Sequence, residues 1–347
     1  MTVYIGVDFH ARQQTISYLT TEDGEIRRLQ LDHRQPDEVR AFYRQFAGAR
    51  VVVGFESSGY AAWFEELLEE LSCEIWIGHA TAIRLFARRR QKNDRRDADL
   101  ILDLLVRGDF PRIHRYSPES RAVLQQLRYR QRLVKMRTMM VNSLVFMAAS
   151  RGVSIRGQLQ SRRGLERLQQ MTLPPPLQSQ RDELCQMLLE LKTRIDQVEA
   201  WLAAKAESDV RVQRLRTHYG IGPLTGLCLA HTLECVERFA NPRKVTAYVG
   251  FDPVEDSTGE RRRIGSISKQ GSRLLRFFLV EAGQIAVRQD QDLARVYHRV
   301  LVRRGHAKAK AKVADGRRLI VRAFIMLRDE IDYAEFQRRG VAARSSR

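Results

Sequence analysis

An α/β domain followed by mostly helical segments is the fold class this sequence predicts, and three observations carry the prediction. Short apolar runs with strand-like alternation are confined to residues 1 to about 107. From about Pro118 to Ala206 the chain turns to long, charged segments of helical period without strand signals. Within them Leu184, Leu188, Leu191, Ile195, Val198 and Leu202 alternate spacings of four and three, which is a heptad seam.

Taken in order, residues 3–7 are a short apolar run, residues 15–19 and 26–31 alternate, and Glu22-Asp23-Gly24 turns the chain between them. That predicts a three-strand meander. A helix near 36–46, a buried-type strand over 51–55, a helix over about 61–71 and a strand over 74–77 follow. A helix over about 94–106 closes the pattern, with Ala98, Ile101, Leu102, Leu105 and Val106 on one face. Three hairpin strands followed by αβαβα is the order of a ribonuclease H-like (RuvC-like) domain, assigned to residues 1–110. A Rossmann reading is weaker, because no GxGxxG follows the first strand. Residues 111–208 are expected to form a helical coiled-coil hairpin, turned by the glycine-containing stretch 152–164 and by Pro174-Pro175-Pro176. The seam suits a partner helix in this chain or in a second one. Residues 209–335 predict a mostly helical carboxy-terminal domain, and 336–347 a basic tail.

The 347 residues carry 60 Lys+Arg against 41 Asp+Glu, a formal charge of +19, with 44% hydrophobic residues. Apolar content is ample for a core in each domain, and disorder is disfavoured. Stretches such as 100–106, interrupted by Asp103, fall short of the ~18 to 20 residues that a membrane helix needs. Met1 leads into a strand-like segment, not into a secretory signal. Cys73, Cys185, Cys228 and Cys235 form no CxxC pair, so neither a disulfide framework nor a zinc site is indicated and a reducing cytoplasm fits. The positive excess clusters in 84–96, 121–137, 261–263 and 303–312, which favours a polyanionic partner over a merely solubilising surface.

Two constellations could carry chemistry. Asp8 ends the first strand and Glu56 the fourth, strands that lie side by side in the predicted sheet, so their carboxylates would converge. Asp94 and Asp97 stand at i and i+3 at the start of the last helix, with Asp99 turned away. Each acid alone fits a turn or cap role. Four converging carboxylates call for cations, and Mg²⁺ or Mn²⁺ with oxygen ligands is the natural neutraliser at a phosphodiester. The run Arg88-Arg89-Arg90-Gln91-Lys92 suits a phosphate backbone entering there. The second constellation is Gly250-Phe251-Asp252-Pro253, then Ser257, Thr258 and Arg261-Arg262-Arg263, then Ser268-Lys269-Gln270-Gly271, in a segment expected to be an exposed loop or small hairpin. A loop hydroxyl among arginines could attack phosphorus, although on spacing alone a serine there is an ordinary turn residue. Gly220 and Gly222, in Tyr219-Gly220-Ile221-Gly222-Pro223, could let backbone N–H groups approach a phosphate, or could simply start a helix.

The set YIGVDFH, VVGFESSGY, KNDRRDAD, GIGPLTG, GFDP, STGERRR and ISKQG is collinear from about residue 3 to 330 and resembles the insertion-sequence one-ten family of transposases, DEDD recombinases guided by a noncoding bridge RNA. The resemblance implies a RuvC-like domain, a coiled-coil region and a transposase domain with a serine nucleophile. It also implies dimers of dimers acting on target and donor DNA, in a prokaryotic cytoplasm beside the nucleoid. The four metal-binding acids fall on Asp8, Glu56, Asp94 and Asp97, with Asp99 an extra acid. Counted back from Ser268-Lys269, the nucleophile falls on Ser257, whereas counted forward from Gly250-Phe251 it falls on Thr258, the fallback. The basic residues Arg88, Arg89, Arg90, Lys92, Arg261, Arg262, Arg263 and Lys269 then face nucleic acid. A covalent phosphoserine link would store the phosphodiester for religation. Two rivals stay open: a metal-dependent RuvC-like nuclease with no covalent intermediate, and a non-catalytic nucleic-acid-binding protein on the same fold.

Overall fold

The alternation in the first strand decides which way the sheet faces. In β1 (Thr2–Phe9) the odd-numbered Val3, Ile5, Val7 and Phe9 are buried in one core, and the even-numbered positions look to the other side. This computed structural model describes residues 1–86, 94–155, 157–159, 161–255, 264–303 and 305–345. The chain divides into two compact units, Met1–Arg115 and Tyr116–Arg347.

In the first unit β1 pairs antiparallel with β2 (Gln13–Thr20), which pairs antiparallel with β3 (Arg27–Asp32). After α1 (Pro36–Arg44), β4 (Arg50–Glu56) joins β1 in parallel, and after α2 (Ala62–Glu70), β5 (Glu74–Gly78) joins β4 in parallel. The order is β3-β2-β1-β4-β5, a mixed sheet. Val3, Ile5, Val7, Val51, Val53 and Phe55 pack with Phe64, Leu67 and Leu68 of α2 and with Val39 and Tyr43 of α1. The opposite face receives α4 (Asp94–Arg107), whose Ile101, Leu104 and Leu105 cluster with Val52 and Ile83. A short helix, α3 (Ala80–Phe86), lies outside the sequence expectation. It buries only Ile83, too little apolar periodicity to read in seven residues.

Among its described residues the second unit is helical apart from one hairpin. Ser117 caps α5 (Pro118–Ala149), its side chain accepting from the Ser120 N–H, and Pro118 occupies the first turn, where no donor is needed. After α6 (Arg162–Gln169), α7 (Pro175–Ser208) returns along α5. Leu133 meets Leu191 and Ile195, while Leu144 and Ala148 meet Cys185 and Leu188, so α5 and α7 run antiparallel. The heptad seam is therefore filled from within the chain, and those positions are not free to pair with a second copy. Beyond α8 (Val210–Arg216), every residue from Thr225 to Leu233 of α9 (Pro223–Leu233) is buried. A helix buried all round belongs at a centre. Around it stand α5, α7, α8, α11 (Arg273–Ala286) and α13 (Lys308–Arg328), with α10 (Pro242–Val249), α12 (Gln291–Arg303) and α14 (Tyr333–Ser345) completing the unit. No described helix is long and apolar enough to cross a membrane.

Candidate active site

Two glycines set the acid-bearing face. Gly6 of β1 and Gly54 of β4 stand opposite one another in the parallel register. A Cβ on Gly6 would lie 2.5 Å from the Leu102 nitrogen and 2.6 Å from the Ala98 oxygen, and one on Gly54 would lie 2.7 Å from Leu105 Cδ2. α4 thus rests on the bare backbone of β1, closer than any side chain would allow. Two residues on from each glycine, the pleat returns Asp8 and Glu56 to this same face, at the carboxyl ends of adjacent strands. Asp97 is half-buried one position before Ala98, in the first turns of α4, and Asp94 opens that helix, its side chain lying outside the described residues.

Asp8 is largely buried and lies 3.1 Å from His10 Nε2, and Glu56 has the Arg84 guanidinium at 3.5 Å. Asp99 is committed elsewhere: it accepts from Ser17 Oγ at 2.7 Å and from Arg28 Nε at 2.8 Å, which ties α4 to β2 and β3. Among the described residues no three His, Cys, Asp or Glu side chains are gathered closely enough to hold a metal ion. The structure thus brings Asp8, Glu56 and the Asp97 turn to one face without drawing those side chains into a closed cluster. Oxygen-only donors on a shared face are of the type that suits a hard divalent cation. His10, two residues past Asp8, and Arg84 are contacts that sequence reasoning missed. His10 stood in the quoted motif, whereas nothing in the spacing pointed Arg84 at Glu56.

In the second unit the Gly250 and Gly271 backbones interlock. Gly250 closes α10 in the left-handed region, φ +78°, where a Cβ would meet the Gln270 oxygen at 1.9 Å. At Gly271, φ +86°, a Cβ would meet the Tyr248 oxygen at 2.0 Å. The Ser268 N–H donates to the Asp252 carbonyl at 2.8 Å, its hydroxyl donates to the Asp252 carboxylate at 2.6 Å, and the Lys269 N–H donates to the Gly250 carbonyl at 3.2 Å. Arg276 of α11 donates to the Val249 and Gln270 carbonyls at 2.8 and 3.0 Å. From this base project β6 (Pro253–Glu255) and β7 (Ile264–Ile267), an antiparallel pair. Ser257, Thr258, Arg261, Arg262 and Arg263 fall in the connection between them, outside the described residues, as do Arg88, Arg89, Arg90 and Lys92 before α4. Lys269 is exposed, with φ +57°. Gly220, φ +81°, has the Ala282 oxygen of α11 where its Cβ would be, at 2.2 Å, so close helix packing demands glycine there. Gly222 is exposed before α9, with open space where its Cβ would be.

Comparison with known proteins reaches both units. Residues 5–147 match the family model described as a DEDD transposase of IS110 type, and residues 212–298 match that of the transposase IS116/IS110/IS902 family. The Pseudomonas aeruginosa protein named "Probable family 20 transposase" is 28% identical over 289 residues, 82% of this chain and 84% of the relative. The "Transposase for insertion sequence element IS1111A" of Coxiella burnetii is 27% identical, covering 68% of this chain and 67% of its own length. That of element IS1328 from Yersinia enterocolitica is 27% identical, covering 67% and 70%.

Proposed function

Because this chain belongs to the IS110 family of transposases, we propose that its first unit is a ribonuclease H-like domain whose Asp8, Glu56, Asp94 and Asp97 face the scissile phosphate, and that Ser257 is the nucleophile. The observation that carries the reading is the pair Asp8 and Glu56 at the ends of adjacent parallel strands, on the face where Gly6 admits α4. A divalent cation, Mg²⁺ or Mn²⁺, held by these carboxylates would supply positive charge opposite the phosphate oxygens.

In the proposed step Ser257 Oγ forms a bond to phosphorus as the bond from phosphorus to a deoxyribose oxygen breaks. The serine proton is lost, and the departing oxygen gains one. The reverse reaction with the hydroxyl of a new partner strand restores serine and a phosphodiester, so rejoining needs no high-energy cofactor. The interlocked base at Gly250 and Gly271 holds the hairpin steady, and Arg261 to Arg263 would meet the phosphate charge. Target and donor DNA are the proposed substrates, and a noncoding bridge RNA pairs with them to read sequence while the protein holds backbones. Assembly as a homodimer or homotetramer belongs to the same reading, through surfaces other than the filled heptad seam.

The test incubates the protein with RNA transcribed from the DNA flanking its gene, Mg²⁺ and labelled donor and target duplexes, followed by a denaturing gel. A protein-linked strand that disappears in Ser257→Ala and Asp8→Ala but persists in Thr258→Ala supports the proposal. Cleaved DNA with free ends, unaffected by either hydroxyl change, makes the chain a metal-dependent nuclease instead.

A further inference from the structure

α5 carries a second face. Val123, Leu124, Leu127 and Leu133 are buried, whereas Gln125, Arg128, Arg132 and Lys135, at steps of three, four and three, share another side of the helix. They line a cleft of about 790 Å³ together with Arg273 and Phe277, which stand one turn apart on α11. Tyr116 and Tyr248, whose hydroxyls lie 2.6 Å apart, also line it. Among the described residues no acidic side chain does. Nor does any of the four cations, Arg128, Arg132, Lys135 and Arg273, enter an ion pair with a described carboxylate.

Four uncompensated cations around one cleft repel each other, an arrangement that a polyanion relieves. α11 begins at the cleft with Ser272 as its cap, which adds the positive end of a helix dipole to the same side. Phe277 is 44% exposed, an aromatic face open to a flat ligand. A cleft of this volume is of the size that encloses a drug-sized molecule, about 300–1,000 Å³, so it admits one or two nucleotides and no duplex. We propose that this cleft binds a single-stranded stretch of nucleic acid, with phosphates on Arg128, Arg132, Lys135 and Arg273 and an unpaired base against Phe277. Gly271 and Ser272 line it only a few residues after β7, so a strand held there runs beside the base of the hairpin. The proposal takes the class of polyanion from the family assignment and does not depend on which hydroxyl is the nucleophile.

Fluorescence anisotropy of the full chain tests it, with 5′-labelled oligothymidylate and oligouridylate of about ten nucleotides, within the usual range of single-strand sites, and with a duplex of equal length. Arg128→Ala with Arg132→Ala is expected to weaken single-strand binding by roughly tenfold or more and to reduce the slope of log K against log salt by about 1.4. Phe277→Leu is expected to cost roughly 5- to 100-fold and to remove the quenching of a 2-aminopurine placed in the strand. Lys192→Ala with Arg194→Ala, exposed cations of α7, should leave both unchanged. Thermal melts confirm that each variant is folded, and Arg128→Gln with Arg132→Gln replaces the alanine pair if it is not. Loss confined to oligothymidylate assigns a DNA strand, loss confined to oligouridylate an RNA strand, and loss with both a site for either. Unchanged binding in Phe277→Leu, equal losses in the α7 control, or equal losses with the duplex would overturn the proposal.

Discussion

Asp315 of α13 is fully buried beside Gly283 of α11, and neither of its carboxyl oxygens has a hydrogen-bond partner among the described residues. Burial without a partner penalises the charged form and pushes its pKa up to about 7. The unfolded chain gives up this proton near the ordinary carboxylate range, so between roughly pH 4 and 7 the folded state holds more protons and stability falls as pH rises. Asp315→Asn removes that term. The variant's unfolding free energy relative to the parent should therefore climb by about 1.4 kcal/mol per pH unit across that window, read by urea melts at pH 5, 6 and 7. His218 acts in the opposite sense, because burial lowers its pKa to about 4, and stability is lost as pH falls from the ordinary imidazole range toward that value. Identical pH slopes in Asp315→Asn and parent would mean that Asp315 is ionised and paired in solution. Gly6 is the second informative residue. Because a Cβ there meets the backbone of α4 and not a flexible tip, Gly6→Ala must shift the helix, at a cost of about 1–3 kcal/mol. It should also depress strand transfer more than its stability loss explains, since Asp94 and Asp97 ride on that helix, and activity equal to parent at a temperature where both are folded would refute this.

Between elements, the carboxy-terminal helices of the second unit are tied by one buried polar group. Arg322 of α13 donates to Asp290, which caps α12, as does the Tyr333 hydroxyl of α14, and His218 lies against the Tyr333 ring with centroids 4.1 Å apart. The Arg322 guanidinium and the Tyr333 hydroxyl, with the Leu293 N–H, hold the Asp290 pKa down at about 2 against the opposing effect of burial. Removing one partner of a buried pair leaves the other uncompensated, so Asp290→Ala should cost roughly 3–5 kcal/mol, with Asp290→Asn milder, by chemical denaturation. A loss below about 1 kcal/mol would show that water replaces the carboxylate. Nothing in the sequence announced this network, because its members are joined only by tertiary packing. The sheet was legible for the opposite reason: β1, β4 and β5 are short apolar runs, and the α4 stripe from Ala98 to Leu105 has a clean helical period. The heptad stripe of α7 was legible as a seam but not as to partner, since the pattern asks for an apolar helix and says nothing of which chain supplies it. At the site, Asp8 and Glu56 stood out by ending apolar runs, whereas Arg84 and the interlock of Asp252 with Ser268 depend on folds of the backbone that periodicity does not encode.

For the whole molecule, an excess of 19 positive charges governs the approach of any nucleic acid before local chemistry acts. Affinity for an arbitrary duplex should then fall linearly in log K against log salt, at about 0.9 per phosphate neutralised. Binding and chemistry are separable on this basis, because in the proposed site Asp8 and Glu56 would contribute negative charge where the scissile phosphate comes. Neutralising them in Asp8→Asn or Glu56→Gln leaves the cations untouched and removes repulsion, so duplex affinity should stay equal or rise a few-fold with an unchanged salt slope. Strand cleavage in the same preparations should drop by at least about a hundredfold if the carboxylates organise the scissile phosphate. Anisotropy titrations between about 50 and 200 mM salt, run beside the cleavage gel, read both quantities. Affinity lost in parallel with cleavage would show that the two acids support the fold of the sheet edge. Cleavage retained with binding intact would place the chemistry elsewhere in the chain and leave the family's acid set without its proposed work here.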